Sequence, residues 1–405
     1  MTSNTLIFPP ADLPLDNILP DEPLLLMGAG PVPVSQKVAS ANSVVINHLG
    51  ETMNRVIERV RLMAQYVFQT RSRHILGVAG PGSAAMEMAI TNLVWPGRKV
   101  LCINNGFFSA RLAEMATRVG GEVTLHNLAE GQGVDAAQVE KQLAQGDFDV
   151  ITLVQGETSC TVWNEQLANI TQLARQYGVL SIVDAVCTLS TMPLNMDEWQ
   201  VDVVITGGQK GLASIPGVSL IAFSEHVWPQ IVNRSVPMPH WCLDARLALQ
   251  FWEEKGYHYT APVSGILALH EALRQVCLET LDRRFERHLV CSQALQAAIE
   301  AMGLNLFVAP QSRLNSVVGI CLPTGIAGKD VLATMSNLYK VEISGSFGLP
   351  IVRIGQMGEQ SRAHNLYRTL HAFGMSLKSC GAKIDLPGGM SSLERELDAK
   401  EALTA

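Results

Sequence analysis

The sequence lacks a long apolar run, a pair of closely spaced cysteines and a block of like charge. No stretch has the roughly 20 consecutive apolar residues that a membrane-spanning helix needs, so we expect no membrane partner. Residues 1–16 show no basic start followed by an apolar core, so we expect no signal peptide.

Cysteine is present without a pattern. No C-x-x-C pair occurs, and the eight cysteines are irregularly spaced. This distribution is typical of reduced thiols in a cytoplasmic enzyme, rather than of a disulfide framework or a zinc site, and we expect no metal. The cysteines are Cys102, Cys160, Cys187, Cys242, Cys277, Cys291, Cys321 and Cys380.

Acidic residues outnumber basic ones, 37 to 30, and the formal charge of −7 argues against a nucleic-acid-binding surface. Hydrophobic residues make up 47% of the chain and charged residues 17%, which is an ordinary globular composition. With 405 residues the chain is longer than one core usually organises, so two domains are expected.

Short apolar runs alternate with amphipathic segments through the first half of the chain, which predicts an α/β fold with a doubly wound, mostly parallel sheet. The runs interpreted as strands are Lys99–Asn104, Gly121–Leu128, Val150–Val154, Leu180–Val186, Val203–Ile205 and Gly217–Phe223. Ligands bind beyond the carboxyl ends of such strands. Four residues fall at those ends: Phe108, Thr158, Asp184 and Lys210.

Lys210 follows the strand Val203–Ile205 and the turn residues after it. Most lysines are exposed, but burial at this position would favour the neutral, nucleophilic amine. Asp184 falls at the same end of another predicted strand, where a carboxylate is costly unless it meets a cation. The pair matches the needs of pyridoxal phosphate, in which a lysine forms a Schiff base and a carboxylate keeps the pyridine nitrogen protonated.

A glycine-rich turn opens a predicted helix at residues 84–94. Gly77, Gly80 and Gly82 precede Ser83, which is a good N-cap residue. Free N–H groups at such a helix start form an anion site. The alternative is that the glycines and Ser83 only cap the helix.

A second α/β unit is predicted towards the C-terminus, with strands at 304–308, 316–322, 341–343 and 351–354 and helices at 329–338 and 359–375. Residues 385–405 are predicted to form a loose terminal helix. Arg353 lies within an apolar strand, where a buried guanidinium needs an anion. It could bind a substrate carboxylate with two parallel hydrogen bonds, or form an internal salt bridge.

Two intervening segments have a different character. Residues 236–263 are rich in polar aromatic side chains, which favours an interface. Residues 264–302 are predicted to be a long helical region that links a large domain to a smaller one. His48 precedes a predicted helix at Glu51–Gln69 and could be an ordinary surface histidine.

Taken in chain order, these motifs resemble those of class-V, fold-type I aminotransferases, in particular the enzymes that use alanine, serine or ureidoglycine with glyoxylate. The resemblance covers about Leu24 to Ser376. It rests on Gly28-x-Gly30-Pro31, Tyr66–Thr70, Gly156–Ser159, Val183–Val186, Gly208–Lys210, Tyr257–Thr260 and Arg353–Gly355. It implies an N-terminal arm (1–23), a large domain with a mostly parallel seven-stranded sheet flanked by helices (24–275) and a smaller α/β domain (276–405).

The resemblance also implies roles around the ring of pyridoxal 5′-phosphate. Lys210 would form the Schiff base and then move the proton between the substrate α-carbon and the cofactor. Asp184 would pair with the pyridinium nitrogen. Phe108 would stack on the ring, and Thr158 would reach its hydroxyl group.

The phosphate group and the substrate have implied partners too. Gly82, Ser83 and Gln209 would hold the phosphate. Tyr257 and Thr260 would reach the phosphate of a partner subunit, which makes the active unit a homodimer. In addition, Arg353 would bind the substrate carboxylate.

One departure concerns the amino donor. Relatives often have Gly-His-Arg-Ser where this chain has Asn47-His48-Leu49-Gly50. Asn47 and His48 would place two polar groups beside the substrate side chain, and a ureido group has donors and acceptors to pair with them. We therefore expect ureidoglycine as donor and glyoxylate as acceptor, within purine, urate or allantoin catabolism.

Three alternatives stay open at this point. The donor could be alanine or serine. The chain could be a lyase or desulfurase, but neither Cys321 nor Cys380 has an activating sequence context. It could also be a ligand-binding protein that kept the fold, although the presence of both Lys210 and Arg353 argues against a loss of catalytic activity.

Overall fold

The computed structural model describes residues 15 and 18–404, so most of the predicted N-terminal arm at 1–23 lies outside the described residues. The strands are β1 (Leu25–Leu26), β2 (Ile75–Ala79), β3 (Lys99–Asn104), β4 (Glu122–Asn127), β5 (Val150–Val154), β6 (Gly156–Glu157), β7 (Val162–Trp163), β8 (Leu180–Asp184), β9 (Val203–Gly207), β10 (Val218–Phe223), β11 (Val317–Cys321), β12 (Val341–Glu342), β13 (Ser344–Gly345) and β14 (Ile351–Gly355).

The helices are α1 (Gln36–Asn42), α2 (Glu51–Phe68), α3 (Gly82–Leu93), α4 (Phe107–Arg118), α5 (Ala136–Gln145), α6 (Leu167–Gln176), α7 (Trp228–Val232), α8 (Ala245–Trp252), α9 (Val263–Glu279), α10 (Leu281–Ala301), α11 (Gly328–Tyr339), α12 (Ala363–Ser379) and α13 (Leu386–Thr404).

The central sheet has seven strands in the order β2-β10-β9-β8-β5-β3-β4. Strand β10 is antiparallel to both of its neighbours, and the other adjacent pairs are parallel. Every residue of β5, β8 and β9 is buried, as expected for parallel strands covered on both faces. The predicted α/β fold with a mostly parallel seven-stranded sheet is confirmed.

The strand order reverses between β3 and β5, because β4 lies on one side of β3 and the later strands lie on the other. In open α/β sheets the crevice beyond the carboxyl ends at such a reversal is the usual ligand site. The loop after β3 leads into α4 with Phe108, and the loop after β5 carries Thr158. The chain path therefore directs both residues to that crevice.

A second hydrophobic core forms around the three-stranded antiparallel sheet β11-β14-β13 and helices from α10 to α13. The prediction that the C-terminal helix is loose is wrong for the side chains that the structure describes. Leu386, Leu393 and Leu397 on α13 are buried in this core. Their spacing of seven and four residues places them on one face of the helix, which explains the packing.

The N-terminal segment joins this second core before the chain enters the large sheet. Strand β1 pairs in parallel with β12, and Met27 is fully buried among residues of the second core. The proposed division into residues 24–275 and 276–405 stays a prediction.

The predicted strand at 304–308 is wrong, because these residues form no strand and Leu306 makes a single bridge to Ile320. The region predicted to be helical, 264–302, is helical and consists of α9 and α10. The two helices are separated at Thr280, which has a φ of +68°, outside the helical range.

Candidate active site

Lys210 lies on the turn after β9, and its side chain points towards the N-terminal segment. The Nζ atom donates a hydrogen bond to the main-chain oxygen of Ala29. Gly30 has a φ of +97°, and a Cβ built there would lie 2.5 Å from the same Nζ. Only glycine fits that backbone and that approach, which explains the glycine at position 30 of the Gly28-x-Gly30-Pro31 motif.

Asp184 ends β8 and is nearly fully buried. Its Oδ1 accepts a hydrogen bond from the Val186 N–H at 2.8 Å. Burial nevertheless raises the pKa of this carboxyl from 3.8 to about 7, with a smaller contribution from the negative charge of Glu157. The protein alone therefore does not fully compensate the Asp184 carboxylate, and a cation placed against it would be stabilised.

The amine of Lys210 has the opposite shift. Burial is the largest cause and lowers its pKa below 10.5, and the positive charge of Arg353 lowers it further. A lower pKa increases the fraction of the neutral amine near neutral pH, which is the form that acts as a nucleophile or a base.

The structure brings seven of the predicted residues to the wall of one cavity at the carboxyl ends of β5, β8 and β9. They are Gly82, Ser83, Phe108, Thr158, Asp184, Gln209 and Lys210. These residues come from five separate segments of the chain, so their convergence is a property of the fold and not of any one motif.

Helix α3 begins at this cavity. Its N-cap is Pro81, so the prediction that Ser83 caps the helix is wrong, and Ser83 lies within the first turn. Proline suits a helix start because its φ is fixed near the helical value and it has no N–H to satisfy. The first N–H groups of α3 have no partner within the helix, which leaves them available to an anion.

Glu157 fixes the start of α4 beside the cavity. Its buried carboxylate accepts hydrogen bonds from the N–H groups of Phe108 (3.1 Å) and Ser109 (2.9 Å) and from the Ser159 hydroxyl (2.6 Å). A carboxylate at a helix N-terminus also interacts favourably with the helix dipole. Glu157 therefore holds the residue that carries the Phe108 ring.

The sequence motifs do not single out Arg111, yet its side chain lines the cavity. Its Nη1 donates to the Ser83 hydroxyl at 2.8 Å, and its guanidinium carbon lies 4.9 Å from the centre of the Phe108 ring. Arg111 follows Phe108 by three positions, and both residues belong to α4, so they share one face of that helix.

Arg353 in β14 is buried but forms no ion pair with Asp or Glu in the part of the chain that the structure describes. Its Nε donates to the Gly345 oxygen at 2.7 Å, and its Nη1 donates to the Thr158 oxygen at 2.7 Å. Burial lowers the pKa of Arg353 to about 10. The internal salt bridge considered as an alternative is therefore absent among the described residues, and the charge can still accept an anion.

Four predicted residues lie away from the cavity within one chain. Tyr257 is 55% exposed, and Asn47 and Thr260 are exposed as well. The ring of His48 lies 5.8 Å from the ring of Tyr257, edge to face, and its Nδ1 is buried without a hydrogen-bond partner among the described residues. None of these four residues lines the cavity.

Within residues 15 and 18–404, no group of three or more His, Cys, Asp or Glu side chains is placed to hold a metal ion. No helix in the same part of the chain is long and apolar enough to cross a membrane.

The cavity, with Lys210 and the buried carboxylate of Asp184 in its wall, matches a pyridoxal-phosphate enzyme of fold type I. The sequence model of the family described as aminotransferase class-V matches residues 34–360. The chain therefore belongs to the class-V aminotransferases, and it is a pyridoxal-phosphate-dependent transaminase.

Three relatives illustrate the likeness. The alanine–glyoxylate aminotransferase of Mus musculus is 31% identical over 389 residues, covering 94% of each chain. The crystal structure of ureidoglycine–glyoxylate aminotransferase from Bacillus subtilis has a TM-score of 0.91 at 29% identity, covering 94% of this chain and 99% of that one. The alanine–glyoxylate aminotransferase of Nostoc sp. has a TM-score of 0.86 at 31% identity, covering 92% and 98%.

The residues of the cavity fit this cofactor. Asp184 is a buried carboxylate that has no cationic hydrogen-bond partner in the described part of the chain, and a protonated pyridine nitrogen would supply one. Gln209 is buried in the cavity wall, and its Oε1 has no partner among the described residues. An unpaired buried amide is costly unless a ligand satisfies it.

Proposed function

We propose that this transaminase moves an amino group from (S)-ureidoglycine to glyoxylate, giving glycine, as a step of purine, urate or allantoin breakdown. The observation that carries the proposal is the buried guanidinium of Arg353, which has no carboxylate partner among the described residues and is hydrogen-bonded to the main-chain oxygen of the cavity residue Thr158. It supports substrates with a single carboxylate beside the reacting group, as in glyoxylate and in small α-amino acids.

The cofactor, when bound, supplies an electron sink that stabilises negative charge at the substrate α-carbon. Lys210 removes and returns the α-proton, which its lowered pKa favours. Asp184 would keep the pyridine nitrogen protonated. Phe108 would cover one face of the ring, and Thr158 would reach its hydroxyl group.

The phosphate group is assigned to Gly82, Ser83 and Gln209, which line the cavity at the start of α3. The helix dipole and the free N–H groups there favour an anion.

The homodimer completes the site in this proposal. Tyr257 and Thr260 are exposed in one chain and would reach the cavity of the partner. The edge-to-face contact between His48 and Tyr257 supports a position at the partner's cavity for both residues, because the two rings lie on one surface. His48 and Asn47 would then lie beside the substrate side chain.

The choice of ureidoglycine follows from those two polar groups. The unpaired, buried Nδ1 of His48 needs a hydrogen-bond partner, and a ureido group offers one. The fold similarity to the ureidoglycine–glyoxylate enzyme of Bacillus subtilis agrees with this choice.

All eight cysteines lie in the described part of the chain and are unpaired, which supports a cytoplasmic location.

Alanine is the second candidate donor. The relatives from Mus musculus and Oryctolagus cuniculus, which are 31% and 33% identical, are alanine–glyoxylate aminotransferases, and alanine also has a single carboxylate. The lyase or desulfurase alternative has less support. Burial raises the pKa of the Cys321 thiol and raises that of the cavity residue Cys187 to about 12, so neither is activated.

A donor screen tests the proposal. The purified holoenzyme is mixed with glyoxylate and with freshly generated ureidoglycine, alanine or serine, and glycine formation gives kcat/KM for each donor. The loss of cofactor absorbance in a single turnover, without glyoxylate, measures the first half-reaction separately. We expect the highest kcat/KM with ureidoglycine. A higher value with alanine selects the second candidate, and no glycine with any donor rejects both.

A further inference from the structure

The cavity has few positive charges for the ligand it must hold. Lys210 and Arg111 are the basic side chains among the described residues that line it. A phosphate monoester brings a charge of about −1.5 to −2 near neutral pH. Removing such an anion from water is costly unless a cation or several hydrogen-bond donors meet it. Lys210 reacts at the other end of the cofactor, so it cannot also neutralise the phosphate.

We propose that Arg111 is the cation that neutralises the cofactor phosphate, through its position beside Ser83 at the start of α3. The inference rests on the proposed placement of the phosphate at Gly82, Ser83 and Gln209. It adds a charged residue to that site and makes Arg111 the source of the preference for a phosphorylated ligand.

The position of Arg111 is fixed by three contacts. Its Nη1 donates to the Ser83 hydroxyl at 2.8 Å, which ties the guanidinium to the first turn of α3. Its guanidinium carbon lies 5.1 Å from the ring centre of Phe107 and 4.9 Å from that of Phe108. Cation–π contacts hold the charge in place without neutralising it.

Within the described residues, Arg111 forms no ion pair with a carboxylate. The acidic residue one turn away, Glu114, pairs instead with Arg118. The guanidinium therefore keeps a full charge and free N–H donors at the cavity wall, and a planar guanidinium matches phosphate oxygens well.

Gln209, one of the three residues to which the phosphate is assigned, lines the same cavity as Arg111. The side-chain oxygen of Gln209 is buried, belongs to the cavity wall and has no hydrogen-bond partner among the described residues. Rotation of this amide would present its NH₂ group to a phosphate oxygen, since the two ends of an amide are exchangeable donors and acceptors. The helix start, Gln209 and Arg111 then act on one ligand.

The test compares two ligands that differ by the phosphate alone. Cofactor-free protein is titrated with pyridoxal phosphate and with pyridoxal, and binding is followed by visible absorbance and tryptophan fluorescence. In Arg111→Met we expect the Kd for pyridoxal phosphate to rise roughly 10- to 100-fold, because a charge-assisted contact is lost. The Kd for pyridoxal should stay within about twofold, because it carries no phosphate.

Two further variants sharpen the comparison. Arg111→Lys keeps the charge and should retain most of the preference for the phosphorylated ligand. Arg118→Met removes an exposed arginine from the same helix, away from the cavity, and should change neither Kd. Thermal unfolding of each variant checks that the fold is kept. Should Arg111→Met fold poorly, Arg111→Gln takes its place.

Three outcomes would overturn the inference. An equal loss of both ligands would show that Arg111 acts on the ring through Phe108. No loss of either ligand would show that the N–H groups and Gln209 suffice. A lysine variant that loses the preference as fully as the methionine variant would contradict the role of charge. Failure of the wild-type protein to bind pyridoxal phosphate would instead reject the proposed cofactor site itself.

Discussion

Arg353 donates a 2.7 Å hydrogen bond to the main-chain oxygen of Thr158, and this bond joins the small antiparallel sheet to the cavity at the end of the large one. The same guanidinium lies 5.5 Å from the centre of the Phe347 ring. The Phe347 ring stacks on Phe107 of α4, with ring centres 4.2 Å apart. These contacts hold Arg353 of the second core beside the cavity of the large domain.

Substitution of Arg353 tests its assignment to the substrate carboxylate. In Arg353→Met we expect KM for both the donor and glyoxylate to rise roughly 100-fold, as loss of a charged bidentate pair predicts. Cofactor binding should be kept, which absorbance can verify. Arg313→Met is the control, because Arg313 pairs with Glu300 and does not line the cavity. Unchanged KM values in Arg353→Met would contradict the assignment.

Asp184 should make the cofactor-free protein lose stability as pH rises. Burial raises its folded pKa from 3.8 to about 7, so between these values the folded state holds more protons than the unfolded state. Stability then falls with increasing pH in this window, by at most on the order of 4 kcal/mol in total. Asp184→Asn cannot ionise and should lose this dependence.

Chemical unfolding of the cofactor-free wild type and of Asp184→Asn gives the free energy of unfolding of each protein. It is measured at about pH 5 and about pH 8, on either side of the raised pKa. The variant should gain stability relative to the wild type at the higher pH. A relative gain that is equal at both values would contradict the assigned pKa.

His288 predicts the opposite dependence on pH. It is fully buried, and burial lowers its pKa well below 6.5. One ring nitrogen, Nδ1, donates to the Arg284 oxygen at 2.6 Å, and Nε2 accepts from the Gly358 N–H at 3.0 Å, which specifies a neutral ring. The unfolded state therefore binds the extra proton, and stability falls as pH drops below 6.5.

The slope expected from this one group is about 1.4 kcal/mol per pH unit below the unfolded pKa. Comparison of the wild type with His288→Gln by denaturant unfolding between neutral and mildly acidic pH isolates it. The stability advantage of the wild type should shrink towards acidic pH. An advantage that stays constant would show that His288 does not carry the effect.

Asn47 and His48 should affect the donors unequally. In the double variant Asn47→Ala/His48→Ala we expect kcat/KM for ureidoglycine to fall by roughly 100-fold or more, because the ureido group of the bound donor loses its hydrogen-bond partners. The value for alanine should change by less than about threefold, since its methyl group needs no such partners. Equal losses of kcat/KM for both donors would show that these residues have a structural role. The control is Ser43→Ala, in the exposed turn that precedes them.

Much of the fold follows from local pattern. The runs Lys99–Asn104 and Val150–Val154 are mostly apolar, and they form the strands that the pattern predicts, with the same bounds. Asp184 and Lys210 could be placed at one sheet edge because parallel strands share their carboxyl ends. Local pattern and chain direction were sufficient for these two residues.

Other features depend on packing between distant segments. Arg111 reaches the cavity because α4 packs beside the start of α3, and no local pattern specifies that contact. Glu157 belongs to a recognised motif, but its capping of α4 across 49 positions appears only in three dimensions. The terminal helix was expected to be loose because its sequence has a glycine pair and is then charged, although Leu386, Leu393 and Leu397 share one buried face.

Reduction of the holoenzyme with borohydride tests the central claim most directly, because it converts a Schiff base between Lys210 and the cofactor into a stable bond. Peptide mapping of the reduced protein should place the adduct on Lys210. The variant Lys210→Ala should bind the cofactor without an adduct and should lack turnover. An adduct on another lysine, or substantial turnover by the variant, would contradict the account.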